Sequence, residues 1–241
     1  MNNQMRPKII VRFARGVFAL LAAILLIPTL HAQTESQRVQ NRFLLIFDTS
    51  SAMKKCLPGT QAAVEKLFFS MMNGQLQPGD SIGVWTFAKE VDPGKFPLQQ
   101  WNPGNAATIA SNINSFVEKQ RYRKSTDFDA AMRLLGGIVQ NSERLTVLVF
   151  CDGDGEMHHT PFDDAINQTF EKNRSPMQKA RQPFVLVLRS QAGVYVGYTV
   201  NSAAGSVNFP QFPPLPQPAE PVPAPAAPTN PPPPPAPVVM V

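Results

Sequence analysis

Short apolar runs of strand length alternate along the chain with segments whose apolar residues recur at helical spacing. Runs such as Arg42–Asp48 and Leu145–Phe150 are almost continuously apolar, which is typical of strands buried on both faces of a parallel sheet. Because helices separate most neighbouring runs, crossovers can place them on both sides of one sheet. We therefore predict an α/β fold with an open, mainly parallel sheet flanked by helices on both faces.

The predicted strands are 42–48, 81–87, 145–150, 184–188 and 194–200. The last two are close enough in sequence to form a C-terminal β-hairpin. Helical spacing of apolar residues marks positions 64–72, 109–117, 131–139 and 162–170.

The first 32 residues have the composition of a signal peptide. Basic residues precede an uninterrupted apolar run, Val17–Ile27, and Ala32 offers a small residue for cleavage. Eleven apolar residues are too few for a stable membrane anchor, which takes about 20. We assign residues 1–32 to a signal peptide and 33–40 to a short linker, and expect a periplasmic or secreted protein. An uncleaved leader that anchors the chain in a membrane is the alternative.

Prolines crowd the C-terminal part of the sequence. Residues 210–241 hold 15 of the 25 prolines, and proline lacks the backbone donor that helices and sheets require. We therefore predict a disordered proline-rich tail over residues 204–241 and a folded domain over residues 41–203. A spacer is the simpler role for this tail, and a recognition motif is the alternative.

The basic character of the chain comes mostly from its leader. The formal net charge is +5, but residues 1–32 contain four basic residues and no acidic one. The remainder carries 18 basic and 17 acidic residues, a balance of +1. This balance argues against a nucleic-acid-binding protein, which needs a basic surface to neutralise phosphates.

Polar residues with oxygen-bearing side chains follow the predicted strands at one edge of the sheet. Asp48 and Ser50 follow the first strand, Thr126 precedes the third helix, and Asp152 follows the strand 145–150. Ligands of open parallel sheets bind at the carboxyl ends of the strands. Carboxylates and hydroxyls are ligands for hard divalent cations such as Mg²⁺.

Three segments carrying these residues resemble the von Willebrand factor A (vWA) domain. They are FLLIFDTSSAM, STDFDAAM and LTVLVFCDGDGE, in the order found in that family, and the resemblance covers about residues 40–200. It implies that Asp48, Ser50, Thr126 and Asp152 form a metal-ion-dependent adhesion site. It also implies a bound Mg²⁺ or Mn²⁺ whose open position takes an acidic side chain of a protein partner.

The sequence departs from the family pattern at two places. Ala52 occupies the third position of the DxSxS motif and has no oxygen, so we expect weakened cation affinity, with water in place of the missing hydroxyl. The predicted hairpin also leads directly into proline-rich sequence, where the family has a closing helix. Coupling of ligand binding to movement of such a helix is therefore not expected.

Basic, histidine and cysteine residues near the predicted site each allow two interpretations. Lys119, Arg121, Arg123 and Lys124 are either a rim that steers acidic ligands or a solvated loop. His158 and His159 are adjacent, whereas zinc ligands are usually spaced, so a surface pair is the simpler reading. Cys56 and Cys151 are interpreted as free, partly buried thiols, and a disulfide is the alternative in an exported protein.

These observations favour an exported, non-enzymatic protein-binding module, with divalent-cation-assisted adhesion or envelope assembly as its role. The alternative is a metal-independent scaffold of the cell envelope. A hydrolase with Asp48 as its nucleophile is a more distant alternative, because the residue pattern after Asp48 differs from the DxD pattern of aspartyl-phosphate enzymes. We expect a protein ligand, no nucleic acid, and membrane contact only through an uncleaved leader. Oligomeric state is left open.

Overall fold

A computed structural model describes residues 41–124 and 126–214. The predicted leader, the predicted linker and the tail from residue 215 onward lie outside these residues. The strands are β1 (Arg42–Asp48), β2 (Ser81–Phe87), β3 (Val91–Asp92), β4 (Gln99–Gln100), β5 (Arg144–Cys151), β6 (Phe184–Gln191) and β7 (Val194–Ser202). The helices are α1 (Ser51–Lys55), α2 (Leu57–Phe69), α3 (Met71–Gly74), α4 (Ala106–Glu118), α5 (Phe128–Gln140) and α6 (Asp163–Ala180).

The strands form one open sheet in the order β3-β2-β1-β5-β6-β7, and β4 pairs with β2. β1 lies between β2 and β5 and pairs parallel with both. The chain then re-enters the sheet at Phe184, directly opposite Cys151, so β6 runs antiparallel to β5 and forms the predicted hairpin with β7. The predicted fold class, an open α/β sheet of the Rossmann-like or vWA-like kind, is confirmed.

Both faces of the sheet are covered, because successive side chains of a strand point to opposite sides. Phe43, Leu45 and Phe47 of β1 join a buried cluster with α2 and α4. Leu44 and Ile46 join a second cluster with α5 and α6. Among the described residues, no helix combines the length and apolarity needed to cross a membrane.

The turn after α2 is left-handed, although only its last residue is glycine. Met71, Met72 and Asn73 have φ angles of 52°, 49° and 56°. Such a conformation costs a residue with a Cβ atom about 1–2 kcal/mol. Burial of Met72 holds the turn in place, as does a hydrogen bond from the Asn73 amide to the Val207 carbonyl, 2.7 Å long.

The substitution Met71→Gly is expected to stabilise the protein by about 0.5–1 kcal/mol. Relief of left-handed strain outweighs the extra entropy of glycine in the unfolded chain, and the side chain is 41% exposed, so only part of its burial energy is lost. Urea denaturation measures the change. Leu134→Gly is the matched control, because Leu134 is 43% exposed in the right-handed helix α5, where glycine should destabilise by about 1 kcal/mol. Equal destabilisation by both would show that the turn is not strained.

Residues 203–214, called the C-terminal strap below, return across the sheet face that α2 and α4 cover. Ala203 and Val207 are buried there, and Phe209 packs against the same cluster. The carbonyl of Asn208 accepts a hydrogen bond of 2.6 Å from the Thr199 hydroxyl on β7. The domain boundary predicted at residue 203 is therefore corrected, because residues 204–214 pack on the domain despite their prolines.

A buried arginine lies beneath the C-terminal strap. Arg189 on β6 is 1% exposed; its guanidinium donates to the carbonyl of Pro210 and, over 2.8 Å, to the side-chain oxygen of Gln75. Its guanidinium also lies 4.3 Å from the ring centre of Phe212. Burial, and then the positive charge of Arg144, lowers the pKa of Arg189 to about 10. The strap thus supplies both an acceptor and an aromatic face to a buried cation.

Candidate functional site

Two buried carboxylates, Asp48 and Asp152, lie at the carboxyl ends of neighbouring parallel strands. Asp48 ends β1 and is 4% exposed, and Asp152 follows β5 and is 8% exposed. Parallel pairing of the two strands, with Phe47 opposite Phe150, brings these ends to the same edge of the sheet. We call Asp48 and Asp152 the carboxylate pair.

Tight turns hold each member of the carboxylate pair. The backbone N–H of Ser50 donates to Asp48 Oδ1 over 2.7 Å, and the N–H of Asp154 donates to Asp152 Oδ1 over 2.9 Å. Each carboxylate thus accepts a hydrogen bond from two residues further along the chain, as in Asx turns. The hydroxyl of Ser50 caps α1 by accepting from the N–H of Met53 at 3.2 Å, an orientation fixed by the helix that follows.

The pKa of each carboxylate is raised above its usual value. Burial, and then the negative charge of Asp152, raises the pKa of Asp48 from an ordinary 3.8 to about 7. Burial is also the main cause of the raised pKa of Asp152, which the hydrogen bond from the backbone N–H of Asp154 partly offsets. Within the described ranges, neither carboxylate forms a salt bridge. A buried pair of this kind is stabilised by a proton or by a cation from solution.

Thr126, the fourth predicted ligand, lies in the loop that leads into α5 and is half-buried. The next residue, Asp127, caps α5 by accepting from the N–H of Ala130 at 2.8 Å. The N–H of Asp127 donates to the carbonyl of Ala88, directly after β2, over 2.6 Å. This bond brings the loop to the end of β2, which pairs with β1, and so to the same edge as the carboxylate pair.

The predicted donor set has the oxygen chemistry that a hard divalent cation prefers, with one oxygen fewer than the vWA pattern that the sequence resembles. The carboxylate pair supplies negative charge, and the hydroxyl of Ser50 lies two residues after Asp48. Ala52 is half-buried and contributes no oxygen. Among the described residues, no group of three or more His, Cys, Asp or Glu side chains is arranged to hold a metal ion. Since the predicted set contains only two carboxylates, the cation remains a prediction.

Sequence reasoning missed Tyr122, which also lies near the carboxylate pair. Its hydroxyl donates to the carbonyl of Val117 over 3.2 Å. Burial, and then the charges of Asp48 and Glu118, raises its pKa to about 12. No spacing rule could have found this residue, because it lies in the irregular loop after α4.

Both cysteines are buried near the carboxylate pair and carry free thiols. Cys56 belongs to the cluster beneath α2 and α4, whereas Cys151 belongs to the cluster beneath α5 and α6. The two thiols therefore lie on opposite faces of the sheet. Burial, and then the charges of Asp152 and Asp48, raises the pKa of both. The interpretation as two unpaired thiols agrees with this geometry, and a raised pKa makes them poor nucleophiles at neutral pH.

The basic loop 119–124 joins the site through its backbone. The N–H of Ser51 donates to the carbonyl of Arg123 over 2.7 Å, and the N–H of Arg123 donates to the carbonyl of Thr49 over 2.9 Å. These bonds dock the loop on the turn that follows Asp48. The side chains of Lys119, Arg121, Arg123 and Lys124 are exposed, so both interpretations of this loop remain open.

The two histidines form separate surface contacts. His159 Nε2 lies 2.7 Å from Asp129 Oδ1, and His158 Nε2 lies 3.7 Å from Glu156 Oε2. The two rings are 6.3 Å apart, and each side chain is more than 40% exposed. This arrangement agrees with a surface pair.

The geometry defines an α/β protein with a buried carboxylate pair at the carboxyl edge of its parallel strands, compatible with a vWA-like fold. No protein-family model matches the chain, and no curated protein matches it. Among solved structures, the human COPII-coat protein Sec24c matches at 12% identity with a TM-score of 0.32, over 57% of this chain and 25% of that chain. This chain thus spans about a quarter of Sec24c.

Proposed function

We propose that the protein is an exported, non-enzymatic binding module of the vWA type. In this proposal Asp48, Ser50, Thr126 and Asp152 hold a Mg²⁺ or Mn²⁺ ion in the periplasm or outside the cell. The bound cation supplies a positive charge that accepts an acidic side chain of a protein partner. The chain's own residues hold that cation at the sheet edge, and Asp48 and Asp152 exchange a proton for it.

The observation that carries this proposal is the burial of two carboxylates without a salt bridge among the described residues. Ionised carboxylates side by side in a buried site repel each other and lack the hydration that stabilises them in water. A divalent cation would remove both penalties, because it neutralises the pair and replaces water as its ligand.

A metal-independent scaffold is the second candidate, and two observations favour it. Ala52 removes one ligand oxygen, and the pKa of Asp48, about 7, lets a proton relieve part of the repulsion within the pair near neutral pH. In that case the fold would persist and bind partners through its surface alone.

Cation-dependent crosslinking to envelope proteins tests the proposal. The full chain is incubated with an envelope extract in Mg²⁺ or in EDTA, crosslinked, and its partners are identified by mass spectrometry. We expect partners captured in Mg²⁺ to be captured more weakly in EDTA, and equally weakly when Asp152→Asn replaces the wild-type bait. Partners captured equally in Mg²⁺, in EDTA and with the variant would establish the metal-independent scaffold.

A further inference from the structure

Six basic side chains from two segments are brought together beside the carboxylate pair. They are Lys54, Lys55, Lys119, Arg121, Arg123 and Lys124, called the basic rim below. The first two end the short helix α1, and the others lie in the loop after α4. The backbone bonds that join Arg123 to Thr49 and Ser51 hold these segments side by side.

The basic rim is available to a partner. All six residues are exposed, and none forms a salt bridge within the part of the chain that the structure describes. Like charges on two segments that are docked together raise the local positive potential, which accelerates encounter with anionic ligands and selects among them. Since the chain without its leader has a balance of only +1, the rim is a local concentration of charge.

The surroundings of the rim discriminate between kinds of anionic ligand. A cavity of about 810 Å³ beside the turn after β5 is lined by Asp154, Glu156, Asp164 and Glu171, with Arg174 as its one cation. The N–H of Asp154 binds Asp152, so this acidic surface begins at the other member of the carboxylate pair. A nucleic acid or an anionic membrane presents continuous negative charge, which this acidic surface repels. A polypeptide can carry a short acidic stretch that contacts the rim alone.

We propose that the basic rim docks an acidic segment of a protein partner next to the carboxylate pair. This inference rests on the proposed function in one respect, since it describes the partner of the same site. The contact itself is electrostatic and needs no cation. The rim would therefore select partners with several acidic residues, whereas the proposed cation would bind only one acidic side chain.

The test uses a fluorescent peptide of alternating glutamate and serine, with a peptide of glutamine and serine as its control. Fluorescence anisotropy is measured with the full chain in EDTA. The double variant Arg121→Glu/Arg123→Glu should weaken binding of the acidic peptide about tenfold or more, because two attractive pairs become repulsive. Lys172→Glu/Lys179→Glu makes the same change in net charge on exposed residues of α6 and should leave binding unchanged.

Salt and cation dependence separate this contact from the cation site. Raising salt from about 0.1 M to about 1 M shortens the screening length from about 10 Å to about 3 Å and should abolish peptide binding. The rim variant should bind Mn²⁺ no more weakly than wild type. In contrast, Asp152→Asn in EDTA should still bind the peptide, so failure of the cation site would not be mistaken for failure of the rim.

Three results would overturn the proposal. One is equal weakening by the α6 control, which would show a response to net charge alone. Another is binding of the glutamine peptide as tightly as the glutamate peptide. The third is tighter binding of oligothymidylate or of phosphatidylglycerol vesicles than of the acidic peptide, which would assign the rim to nucleic acid or to a membrane.

Discussion

Asp152→Asn is expected to abolish saturable Mn²⁺ binding, and Ala52→Ser is expected to tighten it about tenfold. The first change removes one of two charged ligands, and charge contributes more to affinity for a hard cation than a neutral oxygen does. The second supplies the hydroxyl that the family pattern has at this position. Isothermal titration of each variant with Mn²⁺ measures both effects.

The control for these variants is Glu143→Gln, which removes an exposed carboxylate just before β5, at the opposite end of that strand from Asp152. It should bind Mn²⁺ as wild type does. If wild type fails to bind at millimolar Mn²⁺ but Ala52→Ser binds, the natural site has lost its cation and the scaffold reading is correct. If neither binds, the predicted metal site is wrong.

The same site predicts a characteristic dependence on pH. Cation and proton compete for Asp48, whose pKa is raised to about 7 by burial, so Mn²⁺ affinity should rise as pH increases toward 7 and level off above it. Stability without cation should change in the opposite direction. The folded state holds a proton between about pH 4 and pH 7 that the unfolded state has released, so the free energy of unfolding should fall across this window.

Asp48→Asn should remove most of that loss of stability. The amide oxygen can still accept from the N–H of Ser50, while the buried charge disappears. Above pH 7 the variant is expected to be more stable than apo wild type, by at most about 4 kcal/mol. Urea denaturation at pH 5 and pH 8 in EDTA measures the difference. A difference that does not grow with pH would show that Asp48 ionises normally in the folded protein.

Truncation within the C-terminal strap should destabilise the protein strongly. A chain ending at Asn208 loses Phe209 and Phe212, both half-buried, and removes the Pro210 carbonyl from the buried cation Arg189. The combined loss is about 4 kcal/mol, which corresponds to a fall in melting temperature of about 10 °C for a domain of this size. Thermal unfolding followed by circular dichroism measures the shift.

A chain ending at Pro214 is the matched comparison, because it keeps every contact described for the strap. We expect its melting temperature to exceed that of the Asn208 truncation by the full 10 °C or so. Equal melting temperatures would mean that the strap contributes nothing to stability and that the boundary predicted at residue 203 is the energetic one.

The sequence predicted the sheet because β1, β2 and β5 are buried on both faces and so read as continuous apolar runs. Since the ends of parallel strands meet at one edge, it also predicted that Asp48 and Asp152 would lie close together. It could not predict the raised pKa of Asp48, because that pKa depends on burial by residues distant in sequence.

The packing of the C-terminal strap and the left-handed turn at Met71 were not predicted, because the local sequence favoured other structures. The prolines after residue 203 favoured disorder, yet Val207, Phe209 and Phe212 find apolar or cationic partners on the sheet. The left-handed turn at Met71 carries no glycine until its last residue, so no turn rule marked it. In both places contacts distant in sequence outweigh the local preference.

The C-terminal strap also determines where the chain leaves the domain relative to the carboxylate pair. Phe212 lies 4.3 Å from the guanidinium of Arg144, the first residue of β5, whereas Asp152 directly follows the last. Eight residues of strand separate these points by about 25 Å. Any chain that continues after Pro214 therefore starts near the end of β5 that is opposite the carboxylate pair. If that chain is attached to a surface, the carboxylate pair faces away from the surface.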